Sequence, residues 1–94
     1  MEFEWDPEKL RANIKKHEVH FKEAVEVFKD ANRLVDIDDR ESYGEERLRV
    51  IGMSPKRLLT VACVERETSL IRIISARKAA HAEEARYFGE WDRR

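Results

Sequence analysis

The sequence predicts a single α+β domain, residues 1–94, in which two helices precede an antiparallel sheet of about four strands and a third helix follows it. Two observations support this fold class. Apolar residues recur at helical spacing near both ends of the chain, whereas the middle alternates or runs apolar between short turns. A composition of 41% hydrophobic and 41% charged residues supplies one core, and the chain is too short for two.

The N-terminal third predicts a short strand and two helices. Residues 2–5 alternate polar and apolar side chains until Asp6 and Pro7, which suit the N-cap and the first position of a helix. A helix over residues 7–17 follows, and apolar spacings of three, one and three predict a second helix over residues 21–29. The inner stripe expected for the first helix consists of Leu10, Ile14 and His17.

The rest of the chain predicts the sheet and the last helix. Residues 33–38 alternate as an edge strand, and an acidic loop with a turn at Gly44 follows them. Three runs separated by hairpin-length turns predict an antiparallel meander over residues 46–52, 58–65 and 69–75. An alanine-rich stretch predicts a helix over residues 76–89 that ends with Gly89 in the C′ position.

The charges are unevenly distributed along a chain whose formal net charge is -1. Residues 30–46 carry seven acidic and two basic side chains, a net of -5. Residues 47–78 carry eight basic and two acidic ones, a net of +6. A basic half of this kind is typical of a polyanion-binding protein, although charges that merely solvate strand faces are the simpler interpretation.

The strongest functional signal lies where the last strand is expected to pass into the last helix, at residues 71–78. There Arg77 and Lys78 would project from the first helical turn beside unpaired backbone N–H groups, an arrangement that binds phosphate. Both cations oppose the helix dipole, so a purely structural choice would more often be acidic. Pairing of Arg77 with the acidic segment is the structural alternative.

Arginines on the strands are expected to extend this basic corner. Alternation along the last strand places Ile71, Ile73 and Ser75 on one face and Arg72 on the other. Neighbouring strands contribute the further arginines Arg47, Arg49 and Arg66. Several arginines on one face indicate a polyanionic ligand.

Cleavage of RNA without a metal ion needs a base for the 2′-OH, an acid for the 5′-oxygen and cations that stabilise the phosphate. Arginine and lysine serve the last need, and no residue has a diagnostic spacing for the other two. The candidates are Glu45, Glu46, His17, His20 and His81. His17 lies on the inner stripe of the first helix, which favours a hydrogen-bonded structural role, and His20 fits a turn. His81 lies close to Arg77 and Lys78 in sequence.

Other classes of site have no support in the sequence. Cys63 is the single cysteine, so no internal disulfide is possible, and its apolar neighbours favour a buried, unreactive thiol. No spacing typical of a metal site and no glycine-rich phosphate loop occurs, so neither a metal nor a cofactor is expected. The apolar runs are too short to cross a membrane and no signal peptide follows Met1, so the expected location is the cytoplasm.

Two blocks of residues form a recognisable pattern. The first consists of Trp5, Asp6, Lys9, Asn13, Lys16, His17, Val19, Phe21, Glu23 and Ala24. The second consists of Glu46, Arg47, Gly52, Arg66, residues 72–79, Glu84 and Tyr87. In order and spacing they resemble the BrnT family, the toxins of BrnT–BrnA type II toxin–antitoxin pairs. The sequence departs from that pattern at Cys63 and at Glu18, where glycine is usual because a helix ends there.

The resemblance implies a RelE-like fold and a toxin that cleaves RNA and blocks translation. It also implies a ribbon-helix-helix antitoxin of the BrnA kind that holds the toxin inactive, and DNA is contacted only through that antitoxin. Carried over to this sequence, the resemblance assigns the basic pair Arg77 and Lys78 and the strand arginine Arg47 to the site.

Two functional hypotheses follow. In the first, the protein is a metal-independent endoribonuclease with a basic phosphate site and a proton-transfer residue. The residues expected to form that site are Arg77, Lys78, Arg72, Arg47 and either Glu46 or His81. In the second, suggested by the lack of a clear acid–base pair, the protein is a non-catalytic module that binds its antitoxin and modulates promoter repression. A plain DNA-binding domain ranks third, because no recognition helix is evident.

Overall fold

The computed structural model describes residues 1–38 and 45–92. Its elements are β1 (Glu2–Glu4), α1 (Pro7–His17), α2 (Phe21–Val27), β2 (Leu34–Asp38), β3 (Arg47–Met53), β4 (Leu58–Glu67), β5 (Leu70–Lys78) and α3 (His81–Asp92). The strands form one sheet in the order β1-β5-β4-β3-β2, in which β1 is parallel to β5 and the other neighbours are antiparallel. The α+β class is confirmed, with a mixed sheet of five strands. The predicted turn at Gly44 lies outside the described residues.

The first helix begins and ends where the sequence predicts. Asp6 is its N-cap and accepts a hydrogen bond of 2.8 Å from the backbone N–H of Glu8, with Pro7 in the first position. The helix ends at Glu18, whose φ of 58° is left-handed and whose N–H donates to the carbonyl of Ile14 at 2.9 Å. Glu18 therefore occupies the position that glycine favours most.

The inner face of α1 differs from the predicted stripe. Asn13 is only 5% exposed, whereas Ile14 is 39% exposed. The amide Nδ2 of Asn13 donates to the carbonyls of Val19 and Ala76, both at 2.9 Å, and its Oδ1 accepts from the N–H of Ala76 at 3.0 Å. β1 pairs with β5 only as far as Arg72, so this amide satisfies the backbone of β5 where a strand partner is missing.

The sheet has one covered face and one that is only partly covered. Helices α1 and α2 pack on the first, over the main core. Large members of that core are Phe21, Val50, Leu59, Val61 and Ile73. On the opposite face α3 covers one end through a smaller cluster of Ile51, Leu58, Ala79 and Tyr87. The other end of this face, called here the open face, carries mainly arginines and carboxylates.

The predicted boundary between the last strand and the last helix is wrong. β5 continues to Lys78, and α3 begins at His81 rather than at residue 76. Gly89 lies inside α3, which ends at Asp92, so it is not the C′ residue. Cross-strand pairing with β4 explains the difference, because Ala76 pairs with Val61 and is buried in the main core.

A β-bulge also changes which side chains share a face. Ser75 pairs with Ala62, yet Ile73 pairs with the adjacent Cys63, so Ile74 is an extra residue in β5. The expected alternation therefore reverses at Ile74, and the prediction that Ser75 shares a face with Ile73 is wrong. Ser75 lies on the open face instead.

Candidate nucleic-acid interface

Strand register gathers arginines of β3 and β5 on the open face. Arg47 and Arg72 are both partners of Val64 on the central strand β4. Register partners project to the same face, so these two arginines flank Val64. Thr60, the partner of Arg77, lies four residues from Val64, which places Arg77 about 13 Å further along the sheet.

Arg49 lies between these two positions. Its partner on β4 is Ala62, which also pairs with Ser75 of β5, so small side chains form the middle of this surface. We call the set of Arg47, Arg49, Arg72 and Arg77 the arginine track. The strand register confirms the predicted shared face of Arg47, Arg49 and Arg72.

Glu4 of β1 engages one end of the track. Its Oε2 lies 3.1 Å from Nη1 of Arg72 and 3.7 Å from Nε of Arg66. Arg66 also pairs with Glu45 at 2.6 Å. These side chains are 31% to 45% exposed, so water competes with each ion pair and the pairs hold their arginines weakly.

Asp36 of β2 engages the middle of the track. Its Oδ2 lies 3.8 Å from Nη2 of Arg49, and the carboxylate also pairs with Arg86 of α3. The hydrogen bond from Arg86 outweighs the effect of burial and lowers the pKa of Asp36. Nε of Arg49 is buried and makes no hydrogen bond within the described part of the chain, so this guanidinium retains an unused donor.

The predicted placement of Arg77 and Lys78 on the first turn of the last helix is wrong. Arg77 and Lys78 are the last two residues of β5, and Lys78 pairs with Leu59, a core residue of the covered face. The two cations therefore project to opposite sides of the sheet. The first turn of α3 instead carries the acidic residues Glu83 and Glu84, which the helix dipole favours.

Arg77 is held by a carboxylate of that turn. Its Nη1 and Nη2 donate to Oε1 and Oε2 of Glu83 at 2.8 and 2.9 Å. Oε1 also accepts from the Thr60 hydroxyl and from the N–H of Ala80, both at 2.8 Å. Led by Arg77, these donors outweigh burial and lower the pKa of Glu83 to about 2. Glu83 is therefore a fixed anion and a poor proton acceptor.

The two proton-transfer candidates of the predicted site lie at opposite ends of the track. Glu46 is exposed, directly precedes Arg47, and lines a groove with Val64 and Arg66. His81 is exposed at the start of α3, beyond Arg77. The track is about 13 Å long, so the structure does not bring Glu46 and His81 to one phosphate group.

The other two histidines, His20 and His17, differ in their hydrogen bonding. Nδ1 of His20 accepts from the N–H of Lys22 at 3.0 Å as the N-cap of α2, in agreement with a turn residue. His17 is half-buried at the end of α1, and its imidazole makes no hydrogen bond to any described residue. The predicted hydrogen-bonded role of His17 is therefore wrong for the part of the chain that the structure covers.

Several other residues are accounted for structurally. Arg57 donates to both carboxylate oxygens of Glu23, at 3.0 and 2.9 Å, and ties α2 to the β3–β4 turn. Cys63 is fully buried, as predicted, and burial raises the pKa of its thiol to about 12. Residues 1–38 and 45–92 contain no group of three histidine, cysteine or acidic side chains arranged for a metal ion. Within the same ranges, no helix is long and apolar enough to span a membrane.

The fold is that of a small α+β protein with three helices and a five-stranded mixed sheet, and a solved crystal structure has a similar fold. The crystal structure of the Brucella abortus ribonuclease toxin BrnT superposes with a TM-score of 0.68 at 23% sequence identity, covering 86% of this chain and 99% of that one. The family model described as the ribonuclease toxin BrnT of type II toxin–antitoxin systems matches residues 5–83. The chain therefore belongs to the BrnT family. No protein of curated function matches it significantly.

Proposed function

We propose that this protein is an endoribonuclease that cleaves RNA without a metal ion, blocks translation and is neutralised by a ribbon-helix-helix antitoxin of the BrnA kind. The supporting observation is the arginine track, which presents four guanidinium groups on one face over about 13 Å. That length suits several backbone phosphates of one strand. Membership of a family of ribonuclease toxins supports RNA as the polyanion.

The proposed roles follow from position on the track. Arg47 and Arg72 bind the scissile phosphate, because both flank Val64 and a guanidinium fork donates to two phosphate oxygens at once. Their positive charge stabilises the negative charge that accumulates as the 2′-oxygen attacks. Arg77 binds a neighbouring phosphate, and Lys78, on the other side of the sheet, contributes only at the periphery.

Proton transfer in the proposed site involves Glu46 or His81. Glu46 adjoins Arg47 and is exposed, and His81 is exposed beyond Arg77. To reach the track, RNA must also displace the carboxylates of the same chain that contact its arginines, or bind to these arginines beside them. The Glu4–Arg72 pair is partly exposed, and such pairs contribute about 0–1 kcal/mol, so phosphate competes readily for this arginine.

Cleavage of RNA in EDTA tests this proposal. The wild-type protein should degrade RNA with the chelator present, and Arg47→Ala combined with Arg72→Ala should lower the rate at least about 100-fold. Lys78→Ala is the matched control, since it removes a cation one residue from Arg77 but from the other side of the sheet. Undiminished cleavage by the double variant contradicts the site, and cleavage that requires added Mg²⁺ contradicts metal independence.

The second candidate function is a non-catalytic module that binds the antitoxin and modulates promoter repression. One observation favours it: Arg72, Arg49 and Arg77 each contact a carboxylate of the same chain. Expression in a bacterial host separates the two functions. A ribonuclease toxin should slow growth and lower translation unless its antitoxin is co-expressed. Unchanged growth and translation together with tight antitoxin binding would support the module.

A further inference from the structure

A cleft of about 270 Å³ opens between α1 and β5, beside the β-bulge. Its lining residues are Lys9, Ala12, Asn13, Lys16 and His17 of α1 with Ile74 and Ser75 of β5. Lys9 and Lys16 are two helical turns apart, so they lie on the same side of α1. Among the residues that the structure describes, the lining contains two ammonium groups and an imidazole but no carboxylate, which suits an anion.

The cleft adjoins the arginine track through Ser75. Ser75 lines the cleft and also stands in the cross-strand row with Ala62 and Arg49. β1 stops pairing with β5 at Arg72, so the edge of β5 beyond that residue faces α1 directly. Ser75 lies two strands from Arg49, about 10 Å, so one RNA strand can cross both surfaces.

His17 gives this cleft a chemical group that the track lacks. Its imidazole is half-buried and forms no hydrogen bond with a described residue, so neither ring nitrogen is committed. Imidazole is the side chain most often used to transfer protons near neutral pH. On the open face, by contrast, Glu4, Asp36 and Glu83 are engaged by arginines.

We propose that this cleft is a phosphate subsite of the RNA site, in which Lys9 and Lys16 bind a backbone phosphate and His17 accepts the proton of the attacking 2′-OH. The proposal rests on the proposed ribonuclease function. A volume of about 270 Å³ equals roughly nine water molecules and lies just below the usual range for ligand pockets. That volume accommodates a phosphate with its ribose, and the ligand proposed for the cleft is a single strand of RNA.

The proposed step is a transesterification that balances without a redox partner. The 2′-OH proton passes to the neutral imidazole of His17 as the 2′-oxygen forms a bond to phosphorus. The bond from phosphorus to the 5′-oxygen breaks, and its electron pair leaves on that oxygen, which takes a proton from a water molecule. The products are a 2′,3′-cyclic phosphate and a 5′-hydroxyl, and the imidazolium returns its proton to water.

Neighbouring lysines of α1 provide a matched test of binding. Lys16 lines the cleft, whereas Lys15 is exposed on the same helix and does not. With a non-cleavable 2′-O-methyl RNA strand, Lys16→Ala should reduce the slope of log affinity against log salt by about 0.7, the value for one phosphate of a single strand that is no longer neutralised. Lys15→Ala should leave the slope unchanged. Equal effects of the two variants overturn the subsite.

Single-turnover cleavage tests the role of His17. His17→Gln should lower the cleavage rate at least about 100-fold while affinity for the 2′-O-methyl strand changes by less than about threefold. A variant that cleaves at the wild-type rate, or that loses rate only in proportion to its loss of affinity for the 2′-O-methyl strand, overturns the assignment.

Failure of this inference is distinguishable from failure of the proposed function. Wild-type protein that cleaves no RNA contradicts the ribonuclease function and with it the role of His17, and the Lys15 and Lys16 comparison then decides the phosphate subsite alone. If Lys16→Ala weakens binding of the antitoxin but not of RNA, the cleft belongs to the antitoxin and the proposal is wrong.

Discussion

The substitution Asn13→Ala tests how β5 is held beside the arginine track. Asn13 is 5% exposed and makes hydrogen bonds of 2.9, 2.9 and 3.0 Å to backbone groups of Val19 and Ala76. Alanine would leave one N–H and two carbonyl groups without partners, and each such buried group costs about 1–3 kcal/mol. Water from the adjoining cleft offsets part of this cost, so the free energy of unfolding should fall by about 3 kcal/mol.

Urea unfolding followed by circular dichroism measures this change. A domain of this size has a free energy of unfolding of about 5–15 kcal/mol, so a loss of about 3 kcal/mol is large. With a slope of about 1.5 kcal/mol per molar urea, the midpoint should fall by about 2 M. The matched control Asn32→Ala removes the same amide from an exposed position and should change stability by less than about 0.5 kcal/mol. A loss below about 1 kcal/mol for Asn13→Ala would refute the reasoning.

Three further predictions concern stability. Glu18→Gly should raise the free energy of unfolding by about 1 kcal/mol and the Tm by about 4 °C, because it relieves a φ of 58° and keeps the backbone carbonyl that Arg57 contacts; a lower Tm contradicts this. Gly52→Ala should lower the free energy of unfolding by about 1–3 kcal/mol, because the new Cβ would lie 2.8 Å from Cγ1 of Val27. Val27→Ala removes that contact, so Gly52→Ala should cost less in the Val27→Ala background, and strictly additive effects of the two substitutions contradict the clash. The pKa of Glu83 falls from 4.5 to about 2 on folding, so ionised Glu83 adds up to about 3 kcal/mol to the free energy of unfolding above pH 4.5, and this contribution is lost as pH falls toward 2. Glu83→Gln should lack this loss when stability is measured against pH, and a stability profile that matches the wild type contradicts the assignment.

Local sequence signals predicted α1 well and the end of β5 poorly. The cap at Asp6 and the helix end at Glu18 depend on residues adjacent in sequence, so both are visible without the fold. Residues 76–80 include three alanines, which favour a helix in isolation, but pairing of Ala76 with Val61 keeps the chain extended to Lys78. That pairing involves a distant segment and leaves no local signal.

The arginines of the site were predictable and their surroundings were not. Basic residues on alternating strand positions indicated Arg47 and Arg72, and the register confirms their common face. The bulge at Ile74 has no glycine to mark it, so alternation assigned Ser75 to the wrong face. Asn13 is polar, so apolar periodicity does not mark it as a core residue, and its burial depends on backbone groups far along the chain. Acidic residues in the first turn of α3 were the available signal for Glu83.

NMR titration with a 2′-O-methyl RNA strand tests most directly whether the open face binds RNA. Backbone amide shifts should change along the central strand at Ala62 and Val64, which lie between the arginines of the track, and at Ser75 beside the α1 cleft. The buried face of α2, for example Ala24, should remain unchanged. Changes confined to α2 and β2, with Ala62, Val64 and Ser75 unaffected, would contradict an RNA site on this face.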